Sequence, residues 1–298
     1  MRAFLTGGHG FVGRFLAAHL RSEGDSVEVA PLDVDVTDLS ALRQAVVSAN
    51  PDAIYHLAAF THVGQSWQEP ETALRVNVLG ALNVTEAARA CPAPPPVLLV
   101  GSAEVYGAVS PHHLPLGEDA PLRPVSPYAA SKAAAELVGL QAHLGRGVPV
   151  IRVRPFNHAG PGQDPGFVVS GLAQRIVKAE RDGSRTIAVG NLSARRDFTD
   201  VRDVVRAYRL LVERGAAGEV YNVCSGRDVA IEALARRLIE LAGTEVTLSF
   251  DRALFRPADV PALRGDPTRL REATGWQPEI ALDDTLMAVI DHWRTSLP

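Results

Sequence analysis

Arg2-Ala3-Phe4-Leu5-Thr6-Gly7-Gly8-His9-Gly10-Phe11-Val12-Gly13 decides the fold. A short apolar run enters glycines at G-x-x-G-x-x-G spacing (Gly7, Gly10, Gly13), and a stretch of helical periodicity, Gly10–Glu23, follows at once. Strand, glycine turn and helix in that order make a dinucleotide cradle. Glycine tolerates positive φ and carries no Cβ to block a pyrophosphate. The helix N-terminus, here Phe11, Val12 and Gly13, offers N–H groups and partial positive charge to the anion.

Working outward, Val27–Ala30 reads as a second strand, the Leu39–Ala49 stretch as a helix and Ala53–Leu57 as a third strand. Glu71–Arg89 reads as one long alanine-rich helix behind Pro70, and Val97–Val100 as a strand. Ser126–Leu144 is predicted helical and Val148–Val153 extended. Non-alternating apolar strands between amphipathic helices imply a parallel sheet covered on both faces. The expected fold class is α/β, a Rossmann-type doubly wound parallel sheet with a smaller C-terminal mixed α/β lobe. The division is set at 1–155 for the NAD(P)-binding domain and 156–298 for the lobe, with the chain free to cross back between them. Helices are predicted at Val168–Glu180, Val201–Glu213 and Ile231–Ala242, and strands at Thr186–Val189, Glu219–Val223 and Val246–Ser249. Nine of the 21 prolines fall between Pro92 and Pro127, which marks an irregular wall or lid before the helix that bears Tyr128.

The acidic residue that often ends the second strand and grips the adenosine ribose is missing: the position falls on Pro31, with Asp33 two further on. Nothing there opposes a 2′-phosphate, and no arginine stands beside it. NADP(H) is slightly favoured over NAD(H).

The 298 residues are 46% hydrophobic and 21% charged, with a formal net charge of −4, so no basic field invites nucleic acid or an anionic membrane. No apolar stretch reaches the roughly 20 residues that span a bilayer. Cys91 and Cys224 form no metal or redox motif, and the expected setting is the reducing cytoplasm. His158 and the His112-His113 pair lack the spacing of metal ligands, so no metal is assigned. Of 30 basic residues, 28 are arginine and only Lys132 and Lys178 are lysine, although 20 of the arginines lie from Arg152 onward.

One of those two lysines ends Ser126-Pro127-Tyr128-Ala129-Ala130-Ser131-Lys132, four residues after a tyrosine and hence on the same helix face. An ammonium beside a phenol, helped by oxidised nicotinamide, favours the phenolate and draws the tyrosine pKa toward neutrality. That suits a residue exchanging a proton with a carbinol or carbonyl while hydride moves. Gly101-Ser102-Ala103-Glu104-Val105-Tyr106-Gly107 follows the Val97–Val100 strand, at the sheet edge where ligands bind. Ser102 can hydrogen-bond the reacting oxygen beside Tyr128.

These segments, with His56-Leu57-Ala58-Ala59, Asn77-Val78-Leu79-Gly80, Arg154-Pro155-Phe156-Asn157, Arg196-Asp197-Phe198 and Gly275-Trp276-Gln277-Pro278, resemble the extended short-chain dehydrogenases/reductases that act on nucleotide sugars. The resemblance implies a Ser102–Tyr128–Lys132 catalytic triad. It also implies cofactor contacts at Asp35 and Val36, which flank the adenine, and at Leu57, Ala58 and Ala59, besides the glycine loop, Tyr128 and Lys132. Arg196 and Arg256 match diphosphate contacts and Asn157 a donor to the diphosphate; Arg195 is a weaker match. Phe167 and Val168 cover the guanine or ribose, or pack the core. The run from Arg154 to Gln163, followed by Gly166-Phe167-Val168-Val169, is most similar to the GDP-6-deoxy-D-mannose reductases. The implied activity is reduction of the 4-keto group of GDP-4-dehydro-6-deoxy-D-mannose to GDP-D-rhamnose, by a homodimer joined through the Glu71–Arg89 and Ser126–Leu144 helices. A 4-epimerase or 4,6-dehydratase with tightly bound NAD(P) is the alternative. Glu104 stands where a dehydratase glutamate removes the C5 proton, whereas Ala103 replaces an acidic residue of the dTDP-glucose branch. It is read as catalytic, substrate-binding or structural.

Overall fold

The computed structural model describes residues 1–254 and 260–297. The first half supplies β1 (Arg2–Thr6), β2 (Ser26–Val29), β3 (Ala53–His56), β4 (Val97–Val100) and β5 (Val150–Pro155). The second supplies β6 (Asn157–Ala159), β7 (Thr186–Val189), β8 (Arg195–Asp200), β9 (Val220–Val223), β10 (Asp228–Ala230), β11 (Thr247–Phe250) and β12 (Ala262–Leu263). Six strands form one sheet in the order β2-β1-β3-β4-β5-β9, with every neighbour parallel. The sixth strand therefore comes from beyond residue 156.

Alternation along the strands splits the core in two. Leu5, Tyr55, Leu98 and Ile151 face helices Phe11–Ser22 and Val201–Arg214 through Leu16, Leu20, Val204 and Tyr208. Phe4, Ile54, Leu99 and Val150 face Leu39–Ala49, Gly80–Arg89 and Pro127–Arg146 through Leu42, Val46, Val84 and Ala135. Helices on both faces bury β3 along its whole length and β4 as far as Leu99, and this is why Val97–Val100 reads as a continuous apolar run. Strand order reverses between β1 and β3, so the crevice for a ligand opens at their carboxyl ends.

The predicted helix over Glu71–Arg89 is corrected. It is α-helical over Pro70–Leu74, widens into a π turn over Arg75–Leu79, and resumes as α-helix over Gly80–Arg89. The wide turn surrounds Asn77, a buried polar side chain whose hydrogen bonds leave the helix altogether.

In the second half, β8 lies between β10 and β12 and also pairs with β6, while β11 pairs with β7. Helices Val168–Asp182, Ile231–Ala242 and Leu282–Ser296 enclose a separate apolar core. The sequence reading has neither Leu282–Ser296 nor β8; in the latter, charged Arg195, Arg196 and Asp197 mask an inner end buried from Asp197 to Asp200. The proline-rich segment is anchored to this half by mutual bonds, Leu116 N–H to Arg264 O and Asp266 N–H to Leu116 O, both at 2.9 Å. Among the described residues no helix is long and apolar enough to cross a membrane.

Candidate active site at the carboxyl edge of the sheet

The glycines divide their work. Gly7 has φ +69°, and a Cβ there would lie 2.6 Å from Ala58 N and 2.8 Å from the carbonyl carbon of Leu57. A Cβ on Gly13 would run into Gly7 O and come within 2.6 Å of Gly8 Cα. Both therefore let protein pack on protein. Gly10 differs, because its Cβ position meets only Gly7 O, at 3.3 Å. Gly10 is also the N-cap of helix Phe11–Ser22 and lends it no side-chain cap, so the first N–H groups keep their donor capacity. A cradle of this shape and polarity fits the diphosphate of a dinucleotide.

Around it stand the other proposed cofactor contacts. Leu57, Ala58 and Ala59 leave β3 partly exposed, with Ala58 N–H donating to Thr6 Oγ1 at 3.4 Å. Thr6 Oγ1 also meets His56 Nδ1 at 2.8 Å. Burial, and then the charge of Lys132, push the His56 pKa down to about 3, so this imidazole is neutral. Asp35 is exposed and accepts from Thr37 N–H at 2.8 Å, a bond that holds its carboxyl below the usual range. Val36 turns its side chain into the core, and its carbonyl accepts from Asn83 Nδ2 at 2.9 Å. Pro31, Leu32 and Asp33 are exposed beyond β2.

The tyrosine helix starts as its sequence directs. Ser126 caps it by accepting from Ala129 N–H at 3.1 Å, Pro127 occupies the first turn, and Gly147 ends it in the left-handed region. Tyr128 N–H donates to Ser66 Oγ at 3.1 Å. Ser131 Oγ donates to Tyr128 O at 2.7 Å and accepts from Asn77 Nδ2 at 2.8 Å. Asn77 Oδ1 in turn accepts from Phe60 N–H at 2.8 Å, so the loop after β3 is tied to the tyrosine helix.

Tyr128 and Lys132 are both buried and cannot be a mere surface pair. Lys132 Nζ donates to Val100 O, the end of β4, at 2.7 Å. The Tyr128 hydroxyl is hydrogen-bonded to Ser102, whose Oγ accepts from Glu104 N–H at 3.2 Å. Burial raises the Tyr128 pKa to about 12; the Ser102 bond opposes this and the Glu104 charge adds to it. Burial lowers Lys132 to about 8. The expectation that Lys132 draws Tyr128 toward neutrality is thus not met by the chain's own groups: desolvation outweighs any help from the ammonium. Ser102 and Glu104 nonetheless act on the Tyr128 hydroxyl, and one helical turn further on Lys132, a lysine near its own titration, is fixed to the end of β4 two residues before Ser102.

The proposed substrate residues are more scattered. Asn157 opens β6 directly after β5. Phe167 is the N-cap of helix Val168–Asp182, and its ring centroid lies 5.5 Å from that of His62. Val168 packs on the core of the second half. Phe11 lies parallel to His158 with centroids 6.3 Å apart, bringing the glycine loop to the segment after β5. Arg196 Nη1 donates to Arg195 O at 2.9 Å, and Arg195 itself pairs with Asp228. Arg256 falls outside the described residues. Sequence reasoning had no role for Ser66, Ser131 or Asn77. Only Asn77 carried a signal, as a polar residue on the inner face of an apolar helix.

Comparison with known proteins adds to this geometry. The family model described as GDP-mannose 4,6 dehydratase matches residues 28–289. A GDP-6-deoxy-D-mannose reductase of Pseudomonas aeruginosa is 37% identical over 297 residues, 99% of this chain and 97% of the relative. A solved structure of RMD from Pseudomonas aeruginosa complexed with NADPH superimposes with a TM-score of 0.93 at 37% identity, covering 99% of both chains. A GDP-mannose 4,6 dehydratase of Arabidopsis thaliana is 29% identical, over 87% of this chain but 70% of its own length.

Proposed function

The chain belongs to the GDP-mannose 4,6-dehydratase family of extended short-chain dehydrogenases/reductases, and from that premise we propose that it reduces the 4-keto group of GDP-4-dehydro-6-deoxy-D-mannose to GDP-D-rhamnose. It is an NAD(P)-dependent oxidoreductase. The observation that carries the reductase reading is identity at full length: 37% over 97% of the reductase, against 29% for a UDP-glucose 4-epimerase covered over 99% of its length and 29% for the dehydratase. Just beyond the second strand, Ala30 and Pro31 set no carboxylate against a 2′-phosphate, which supports NADPH.

When bound, the nicotinamide supplies the hydride for the sugar carbonyl. The chain's own groups do the rest. The N–H groups of the glycine loop, and the edge formed by Leu57, Ala58 and Ala59, would hold the dinucleotide, with Asp35 and Val36 beside its adenine. Lys132 offers its ammonium beside Val100. Tyr128, with a pKa near 12, keeps a proton on its hydroxyl at neutral pH, as an acid toward a keto oxygen must. Ser102 orients that hydroxyl. Asn157, Phe167, Arg196 and Arg256 hold the nucleotide end of the sugar, the arginines by bidentate pairing with its diphosphate, while Val168 packs on the core of the second half.

One observation favours the redox-neutral alternative. The Glu104 charge raises the Tyr128 pKa, so a carboxylate belongs to the electrostatic surroundings of the phenol, where an epimerase or dehydratase would need a second proton-transferring group. The assay separates the two. Purified protein, NADPH and the 4-keto substrate should show NADPH oxidation stoichiometric with GDP-rhamnose, whereas product without nicotinamide consumption would assign the redox-neutral reaction.

Leu82, Leu137 and Leu144 are exposed on the two packed helices Gly80–Arg89 and Pro127–Arg146. This face supports a homodimer. Sedimentation should give twice the chain mass, and Leu137→Glu should shift it toward the monomer.

A further inference from the structure

Tyr128, Lys132 and Glu136 follow one another at four-residue steps and so share a face of helix Pro127–Arg146. Glu136 lies below the reacting groups and is tied to a second element. Its carboxylate accepts a forked pair from Arg154, Nε to Oε2 at 2.8 Å and Nη2 to Oε1 at 2.6 Å. Arg154 Nη1 then donates to the Tyr106 hydroxyl and to Glu118 O, both at 2.8 Å, with the guanidinium 5.0 Å from the Tyr106 ring centroid. The Tyr106 hydroxyl donates onward to Asn222 Oδ1 at 2.7 Å, on β9.

The same network holds both ends of the turn that bears Ser102. At the near end, a Cβ on Gly101 would lie 2.8 Å from Val153 O and 3.7 Å from Glu136 Oε2, so the turn rests directly on the Arg154–Glu136 pair. At the far end stands Tyr106, the last residue of the 3-10 turn Ala103–Tyr106 that Ser102 caps. Tyr106, Glu136, Arg154 and Asn222 are all buried. Fully satisfied buried networks rigidify what they join.

Resting on the reductase reading above, we infer that Tyr106 and Arg154 are positioning residues: by clamping the 101–107 turn to Glu136 on the tyrosine helix, they hold the Ser102 hydroxyl against that of Tyr128. Neither touches the reacting atoms. Their effect passes through Ser102 and falls on turnover rather than on binding.

A double-mutant cycle on the full-length enzyme tests this, with kcat and both KM values measured for Tyr106→Phe, Ser102→Ala and the pair. Tyr106→Phe keeps the ring and removes the hydroxyl. It should lower kcat on the order of tenfold and leave each KM within about twofold. In the Ser102→Ala background the same change should lower kcat by less than about twofold, because the group it positions is gone. An equal loss in both backgrounds, or no loss in the parent enzyme, overturns the inference. Unchanged turnover in Ser102→Ala alone overturns the reading of the site, and the inference with it. Arg154→Lys supplies a second arm should Tyr106→Phe not fold. It keeps a cation beside Glu136 but loses the planar fork, and the same non-additivity with Ser102→Ala is expected. Parent-like kcat in Arg154→Lys removes Arg154 from the device.

Discussion

Two arginine–carboxylate pairs show how differently one interaction behaves in two regions of this molecule. At the ends of β4 and β5, Arg154 and Glu136 meet through a bidentate fork, with side chains 5% and 3% exposed. At the start of β8, Arg195 meets Asp228 with 49% and 10% exposed, and Arg264 shares the same carboxylate. The first pair is out of water, so each charge depends on the other and on Tyr106 and Glu118 O for solvation. The second keeps water as an alternative partner and loses much of its attraction to screening. What separates the regions is desolvation. It also sets the chemistry of the first one, raising Tyr128 and lowering Lys132 by the same cause with opposite sign.

The strongest way to break this contrast is at the phenol. Tyr128→Phe keeps the buried ring and its packing while removing the hydroxyl that bonds to Ser102. Turnover should fall by about 10²–10⁴-fold, with NADPH affinity by fluorescence titration changed little. Near-parental turnover would move the proton transfer elsewhere, with Glu104 the next group to test.

Next in size is the pair itself. Arg154→Ala leaves the Glu136 carboxylate buried with, among the described residues, only Arg152 Nη1, at 3.4 Å, as a charged partner. Breaking one side of a buried ion pair costs about 3–5 kcal/mol. Urea denaturation should record a loss of that order at pH 7. A loss below about 1 kcal/mol would mean that the two regions do not differ as their burial implies.

Lysine gives a smaller and graded effect. An ordinary lysine keeps its proton to above pH 10, but burial brings Lys132 to about 8. As pH rises through that value the folded enzyme loses the ammonium, so kcat/KM for NADPH, which reports the free enzyme, should fall on the order of tenfold per unit above pH 8. A profile flat to pH 10 would show that Lys132 stays charged or that its charge is not used.

How much of this was legible follows the same division. The glycine loop could be read because much of its demand is local: Gly7 has φ +69° and a Cβ on Gly13 would run into Gly7 O, six residues back, although the atoms that crowd Gly7 itself belong to Leu57 and Ala58. The four-residue step from Tyr128 to Lys132 is likewise local. The π turn at Asn77 was not legible, because its partners, Phe60 and Ser131, lie 17 and 54 residues away along the chain. Nor was the entry of Val220–Val223 beside β5, since its apolar pattern suits any buried strand. Arg152 and Arg154 did leave a trace, as two cations alternating in an otherwise apolar strand. A charge buried in that way calls for a partner, but helical spacing alone could not point to Glu136. The arginines of the second half look no different in composition. Their exposure, and not their number, decides which of them matter.

Arg195 therefore gives the smallest expected effect and sharpens the comparison most cleanly. It stands next to Arg196 on β8, and successive strand residues point to opposite faces. Its own face holds Asp228, since Arg195 lies opposite Ala230 in the register and reaches the diagonal neighbour. Arg195→Ala leaves that carboxylate to Arg264, 3.2 Å away, so no charge is stranded. Stability should change by less than about 1 kcal/mol, read from the same urea titration used for Arg154→Ala. Arg196→Ala should raise KM for the nucleotide sugar roughly tenfold or more through loss of a charge-assisted pair, while Arg195→Ala leaves it within about twofold. If the two alanine variants raise KM alike, both arginines face the diphosphate and the division between the faces of β8 fails. If Arg195→Ala destabilises as strongly as Arg154→Ala, burial is not what distinguishes the two ion pairs.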